Sequence, residues 1–148
     1  MVKTCAAQLL ETICERIDGA MTFAVHFLIQ ALDATLTGQD PSASNSHEFL
    51  TEFASTSLFL ADTPETKLET SFVALSILSY SMSKRRDLMN LLESMLVHHK
   101  DALISTNNGV LQSRICLFMY FFTEYIFENN EEAFNKYLGF LLTCTNAQ

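Results

Sequence analysis

Residues 110–128 read VLQSRICLFMYFFTEYIFE, and this stretch is the strongest indication of the fold class. At helical spacing its apolar side chains form two stripes, whereas a helix at the surface of a globular protein carries one. A helix that is apolar nearly all round must be covered on more than one side, so we expect it to lie within an array of helices. The first stripe, which we expect in the core, contains Leu111, Ile115, Phe118, Met119, Phe122 and Ile126, and the second contains Leu117, Phe121 and Tyr125.

The rest of the chain also predicts helices. Of its 148 residues, 49% are hydrophobic and 18% are charged, which is too apolar for a disordered chain. The four glycines and two prolines are too few for the many turns of an all-β fold. We therefore expect an all-α fold. Helical periodicity predicts further helices over residues 2–17, 20–36, 64–82, 87–104 and 130–143.

Turn and capping residues mark the ends of these helices. Asp18-Gly19 separates the first two, and Asn107-Asn108-Gly109 is expected to stop the helix over residues 87–104. Thr63 can cap the helix that follows it, with Pro64 at the first helical position. The polar residues 37–66 are expected to be a loop or insertion, although residues 47–61 could form a further helix. The inward face expected for the first helix contains Val2, Ala6, Leu9, Leu10, Ile13 and Ile17.

Three helices begin with a similar pattern of an apolar residue, a polar residue and then apolar residues at helical spacing. The pattern starts at Val2, Leu68 and Leu111, so successive starts are about 66 and about 43 residues apart. HEAT repeats run about 40–47 residues, and the longer interval contains the polar residues 37–66. The spacing favours an α-solenoid of HEAT-type antiparallel helix pairs, with about three repeats in one domain over residues 1–148. An unrelated helical bundle is the alternative.

A resemblance to a known family lies in the second half of the chain. Residues 92–116, LESMLVHHKDALISTNNGVLQSRIC, with FFTEYIF at residues 121–127, resemble a central segment of importin-β superfamily transport receptors of the importin-seven and importin-eight type. Ala6–Gln8 and Gln30–Leu32 also resemble the family, and the likeness covers most of the chain except about residues 37–66. Gln112-Ser113 depart from it, since the family has Arg-Ala there. The matching positions are Met95, Leu96, His99, Gly109, Arg114, Cys116, Phe121, Phe122, Glu124 and Phe127.

This resemblance implies a function that composition and periodicity do not show. It implies a fragment of a longer HEAT-repeat receptor that binds protein cargo, moves between cytoplasm and nucleus, and is controlled by the Ran GTPase. The alternative is a self-contained helical bundle that binds a helix of one partner in a hydrophobic groove.

The charge of the chain bears on its partners. The net charge is −8 with only nine Lys and Arg residues, so we expect no nucleic-acid binding, which depends on cationic contacts to phosphates. Glu124, Glu128, Glu131 and Glu132 form an acidic corner between the last two predicted helices. This corner is a candidate contact for a basic partner, and the alternative is a solvated turn with acids that suit the helix dipole.

The sequence contains no pattern typical of catalysis. We expect no enzyme, catalytic residue, metal ligand or cofactor, because no nucleophile is placed beside a base and no phosphate-binding loop occurs. His98 and His99 are adjacent, point about 100° apart in a helix and lack a third ligand, so a surface or hinge position is favoured over zinc binding. Cys116 lies in the most apolar helix and is interpreted as a small core residue.

Membrane insertion is also not expected. The longest unbroken apolar run is Ile115–Phe122, eight residues, whereas a membrane-spanning helix needs about 20. The first helix carries Lys3 and Glu11 and lacks the apolar segment of a signal peptide. The four cysteines form no zinc or disulfide pattern, which favours a soluble protein in a reducing compartment.

Overall fold

The computed structural model describes residues 2–38, 63–128 and 130–146. Helices account for 83% of these residues, and no strand occurs among them, so the predicted all-α class is confirmed. The possible helix over residues 47–61 and most of the expected loop at 37–66 lie outside the described residues. The helices are α1 (Val2–Arg16), α2 (Ala20–Thr37), α3 (Pro64–Met82), α4 (Arg86–His98), α5 (Lys100–Ile104), α6 (Gly109–Phe122) and α7 (Glu131–Asn146).

The predicted boundaries of the first three helices are close to the observed ones. Gly19 lies between α1 and α2 with a φ of 81°, a left-handed conformation in which glycine has no steric penalty. Thr63 caps α3, because its side-chain oxygen accepts a hydrogen bond from the backbone N–H of Thr66, and Pro64 begins the helix. At α7, Asn130 Oδ1 accepts a hydrogen bond from the N–H of Ala133.

The prediction of a single helix over residues 87–104 is wrong, because the helix breaks at His99. Its φ of −100° and ψ of 11° lie outside the helical range and separate α4 from the short α5. A break of this kind leaves carbonyl groups in the last turn of α4 without helical partners. Tyr137 of α7 donates its hydroxyl to one of them, the carbonyl of Leu96, over 2.9 Å. A contact made far along the chain thus supports the break.

The helix predicted over residues 110–128 ends earlier than expected, at Phe122. Thr123 to Tyr125 form a turn, in which the N–H of Tyr125 donates to the carbonyl of Phe122, and Phe127 adopts a left-handed φ of 67°. At the other end, Asn108 does not terminate the preceding helix, which has ended at Ile104. Its side chain accepts hydrogen bonds from Val110 and Leu111 and so caps the beginning of α6.

The contacts between helices differ in extent. The most extensive contacts join α3 to α6 and α2 to α3. Helix α3 also contacts α1 and α4, α2 contacts α4, and α5 and α6 both contact α7. One series of contacts therefore runs from α1 through α3 to α6, whereas on the other side α2 contacts α4 and α5 contacts α7.

The first stripe of α6 forms the centre of the core. Phe118 lies edge-on against Phe72 of α3, with ring centroids 5.1 Å apart, and is 4.6 Å from Phe122. Beside them Arg114 Nε donates a 3.0 Å hydrogen bond to Glu69 Oε1, which joins α6 to α3 at a partly buried position. The stripe residues Leu111, Ile115, Phe118, Met119, Phe122 and Ile126 are all buried, with 0–3% of their surface exposed.

The face predicted to turn inward on α1 is largely exposed, which corrects that expectation. Leu9, Ile13 and Ile17 are 61%, 39% and 57% exposed, whereas Cys14 is buried and Leu10 is half-buried. The apolar face of α1 is wider than the contact that α2 and α3 offer, so only one edge of it is covered. The second stripe of α6 is also partly uncovered, with Leu117, Phe121 and Tyr125 at 43%, 39% and 45% exposure.

One helix of the described residues, α2, is long and apolar enough to cross a membrane by length and composition. The criterion of an unbroken apolar run does not identify α2, because His26 and Gln30 interrupt its apolar residues. The mean hydropathy of the helix nevertheless stays high enough for a membrane-spanning segment. In this fold α2 contributes to the core and packs against α1, α3 and α4. Its buried residues are Met21, Val25, Phe27, Leu28, Ile29 and Leu32.

Candidate functional site

An acidic groove lies where α4 approaches the turn that follows α6. Its carboxylates are Glu93 of α4 and Glu124 and Glu128 of the turn, and it also contains Arg86 and Tyr125. Arg86, Asn90, Glu93 and Val97 are three or four residues apart, so they share one face of α4. The turn places Glu124 and Glu128 opposite this face because α6 ends at Phe122. Ser83, Met89 and Asn90 complete the lining of the acidic groove.

The carboxylates of the acidic groove are only partly neutralised. Arg86 approaches Glu128 with an Nη2–Oε2 distance of 3.3 Å, and both side chains are well exposed, so water and salt screen this pair. Within residues 2–38, 63–128 and 130–146, neither Glu93 nor Glu124 forms an ion pair. The groove therefore presents two carboxylates that are available to a cation from outside.

The four glutamates of the predicted acidic corner are not one cluster. Only Glu124 and Glu128 line the acidic groove, whereas Glu131 and Glu132 lie in the first turn of α7. Glu132 Oε1 is 3.9 Å from Lys100 Nζ and 3.5 Å from Lys136 Nζ, so its charge is partly balanced within the chain. Glu131 is exposed. The early end of α6 separates the two pairs, and periodicity did not predict it.

Glu93 is the groove residue that sequence reasoning missed. It lies far from the acidic corner along the chain, and the contact between α4 and the turn after α6 brings the two together. The available signal was the polar face of α4, on which Arg86, Asn90 and Glu93 recur at helical spacing. A second depression continues along this face from Asn90 and Glu93 to His98 and Asn130.

An exposed aromatic side chain lies in the acidic groove. Tyr125 lines it and is 45% exposed. Aromatic faces attract ammonium and guanidinium groups, and carboxylates attract them more strongly. The chain itself contains a contact of the aromatic kind just before α4, where Lys84 Nζ lies 4.0 Å from the ring centroid of Tyr80. The groove therefore combines two kinds of group that bind lysine and arginine.

The two adjacent histidines differ in their surroundings. His98 is exposed, as the surface interpretation expects, whereas His99 is buried at 7% exposure. His99 Nε2 lies 2.6 Å from Asp33 Oδ1 of α2. Nothing local in the sequence indicates Asp33 as a third polar group beside the pair, because Asp33 precedes the two histidines by more than 60 residues. Asp33, His98 and His99 each place one potential ligand atom within 4.8 Å of the other two.

The cysteine thiols described by the structure are all free. Burial, and to a lesser degree contact with the Cys144 thiol, raise the pKa of the Cys116 thiol to about 11. Burial also raises the pKa of Cys14. A raised pKa keeps these thiols protonated and therefore poor nucleophiles, which agrees with the interpretation of Cys116 as a packing residue.

Comparison with protein-family models, curated proteins and solved structures finds no match for this chain. The resemblance of residues 92–127 to importin-β superfamily receptors therefore stays a prediction.

Proposed function

We propose that this chain is a protein-binding helical scaffold whose acidic groove binds a lysine- or arginine-rich segment of a partner protein. The observation that supports it is the acidic groove itself, which Glu93 and Glu124 line together with Tyr125 and in which neither glutamate has an ion-pair partner among the described residues. A basic extended segment can place one cation against each carboxylate and another over the tyrosine ring. The net charge of −8 favours the approach of such a partner over long range.

We further propose that the scaffold is a HEAT-type solenoid. In a solenoid, each repeat contacts its neighbours along the chain, and the first helix of a middle repeat has four helical neighbours. Helix α3 contacts α1, α2, α4 and α6, and this set of neighbours supports the proposal. Leu117 and Phe121 of α6, with Tyr125 of the turn that follows it, would then be the exposed surface that a following repeat covers.

The most specific form of the proposal is a segment of a nuclear transport receptor. It depends on the resemblance of residues 92–127, and basic cargo would suit the acidic groove in such a receptor. The test is a pull-down with the purified chain, comparing Ran loaded with GTP against Ran loaded with GDP. Preferential retention of the GTP form supports a receptor role. Retention of neither form by a chain that binds basic peptides would restrict the function to peptide binding.

Binding of a fluorescent lysine- and arginine-rich peptide tests the acidic groove directly. The double variant Glu93→Gln, Glu124→Gln removes both free carboxylates with little change in shape, so we expect its Kd to rise by roughly three- to tenfold. Raising the ionic strength should weaken binding to the unmodified chain more than binding to the variant, because fewer charges are left to screen. Fluorescence anisotropy at two salt concentrations measures both effects.

A matched control removes the same charge elsewhere. Glu65 and Glu131 are exposed and lie in the first turns of α3 and α7, and neither lines the acidic groove. The variant Glu65→Gln, Glu131→Gln should keep the Kd of the unmodified chain within about twofold, since only long-range attraction changes. Equal weakening in the two double variants would show that net charge, not the groove, attracts the peptide.

A partner helix on the exposed stripe of α6 is the second candidate. Leu117 and Phe121 lie about one turn apart on α6 and, with Tyr125 of the turn after it, are each about two-fifths exposed, so together they offer an apolar surface to a partner helix. The variant Leu117→Asp separates this candidate from the first, because Leu117 does not line the acidic groove. Under the first proposal Leu117→Asp leaves binding of the basic peptide intact, whereas a loss independent of salt favours the apolar site.

A further inference from the structure

We propose that Asp33, His98 and His99 form a binding site for a divalent transition-metal ion of the zinc type. The potential ligand atoms of the three residues lie within 4.8 Å of one another. Two imidazoles and one carboxylate are the ligand set that proteins use for zinc and for related ions that bind nitrogen and oxygen. This proposal does not depend on the function proposed for the acidic groove.

The break between α4 and α5 allows two adjacent histidines to converge. In a continuous helix, neighbouring side chains point about 100° apart and cannot hold one ion. His98 is the last residue of α4, and the backbone of His99 leaves the helical conformation. As a result the two rings meet edge to face with centroids 4.6 Å apart, and His99 turns towards α2. The adjacent pair therefore differs from an ordinary helical His-His sequence.

The spacing of the atoms requires only side-chain adjustment to accept an ion. Ligand atoms at about 2.0–2.2 Å from a tetrahedral ion are roughly 3.3 Å apart. The Asp33–His99 pair, now 2.6 Å apart, must open slightly, and the widest separation of up to 4.8 Å must close. The Asp33 side chain is 53% exposed and His98 is exposed, so both can move, while buried His99 is held in place.

Burial of His99 gives the site an anchored ligand and favours binding. A ligand fixed by its surroundings loses little conformational freedom when the ion arrives. Three protein ligands leave one tetrahedral position for water. Because Asp33 belongs to α2 and the histidines to the junction of α4 and α5, the ion would connect these elements and raise the Tm of the chain.

Titration with zinc chloride tests the site. The thiol of Cys5 is exposed and is a competing ligand, so the parent for this experiment is the full chain with Cys5→Ser. We expect calorimetry to show one zinc ion bound per chain, and replacement by cobalt to give the visible absorption of a tetrahedral site. The substitutions His98→Ala and Asp33→Asn should each weaken zinc binding by about tenfold or more.

His26→Ala is the matched control, since His26 is an exposed histidine of α2 outside the cluster. It should bind zinc as the parent does. Because His98 and Asp33 are exposed, their variants are expected to fold, which circular dichroism verifies, whereas His99→Ala also removes a buried side chain. The proposal is overturned if the parent binds no zinc at micromolar concentration, or if His98→Ala and Asp33→Asn bind it as tightly as His26→Ala.

Discussion

Helices α1 and α6 carry apolar stripes of similar spacing, but the α6 stripe is buried and the α1 stripe is largely exposed. The stripe of α6 through Ile115, Phe118 and Phe122 is fully buried, because α6 lies against the length of α3 and also contacts α7. The stripe of α1 through Leu9 and Ile13 is exposed, although periodicity favoured both stripes equally as core. Periodicity thus identifies which side chains share a face, but the number of neighbours decides whether that face is covered.

The orientation of α1 about its axis has an identifiable cause. Helix α1 turns Cys14 and Leu10 towards the core, and Ser81 of α3 donates a 3.2 Å hydrogen bond to Glu15 Oε1. This orientation leaves Leu9 and Ile13, which lie about 100° away around the helix, facing outward. An apolar face wider than its contact must leave one edge exposed, and no further helix among the described residues covers that edge of α1.

The largest expected effect belongs to the buried stripe. Phe122→Asp places an unpaired charge where Phe122 is fully buried and removes its contact with Phe118, so we expect a loss on the order of 3–5 kcal/mol in the free energy of unfolding. Urea unfolding followed by circular dichroism measures this. An unchanged urea midpoint would contradict the burial of Phe122. The α6 stripe would then be no more buried than the α1 stripe.

A smaller loss in the free energy of unfolding is expected at Tyr137, whose side chain is buried, unlike the exposed side chains of the α1 stripe. Tyr137→Phe leaves the carbonyl of Leu96 without its hydroxyl donor, at a cost of roughly 1–2 kcal/mol at neutral pH. Burial, and to a lesser degree the charge of Asp101, raise the pKa of Tyr137 above its ordinary value. Folded protein therefore keeps this proton at a pH where unfolded protein loses it.

The raised pKa of Tyr137 sets the sign of the pH effect. Stability associated with neutral Tyr137 is present below about pH 10, the ordinary pKa of tyrosine, and is lost as the pH rises further. The Tyr137→Phe variant lacks this contribution, so its deficit relative to the unmodified chain should shrink above about pH 10. Urea midpoints of both proteins at about pH 8 and about pH 11 measure the change. If the difference in stability between the two proteins stays constant over this range, the pKa of Tyr137 is not raised and its hydroxyl is in contact with water.

The smallest effect is expected on the exposed stripe. Leu9→Asp introduces the same charge as Phe122→Asp, but at a side chain that is 61% exposed, so the free energy of unfolding should change by no more than about 0.5 kcal/mol. The same urea experiment serves as a direct comparison. A loss comparable to that of Phe122→Asp would mean that the α1 stripe is covered in solution, by other residues of the chain or by a second copy.

The candidate sites show the same division between chain-local and long-range information. The sequence indicated acidic residues after the α6 helix, and Glu124 and Glu128 do line the acidic groove. It did not indicate Glu93, because the contact between α4 and the turn is made across the fold. Likewise the ligands of the proposed metal site depend on a helix break and on Asp33 of α2, and neither has a local signature.

The sequence by itself determined the all-α class, most helix ends, the cap at Thr63 and the apolar stripe of α6, because these depend on interactions between residues a few positions apart. The break at His99, the exposure of Leu9 and Ile13, and the joining of Glu93 to Glu124 depend on which helices become neighbours. Interactions between residues close in the chain favour a broken or a continuous helix, and one helix face or another, almost equally. The burial of apolar surface against a particular neighbouring helix decides between them.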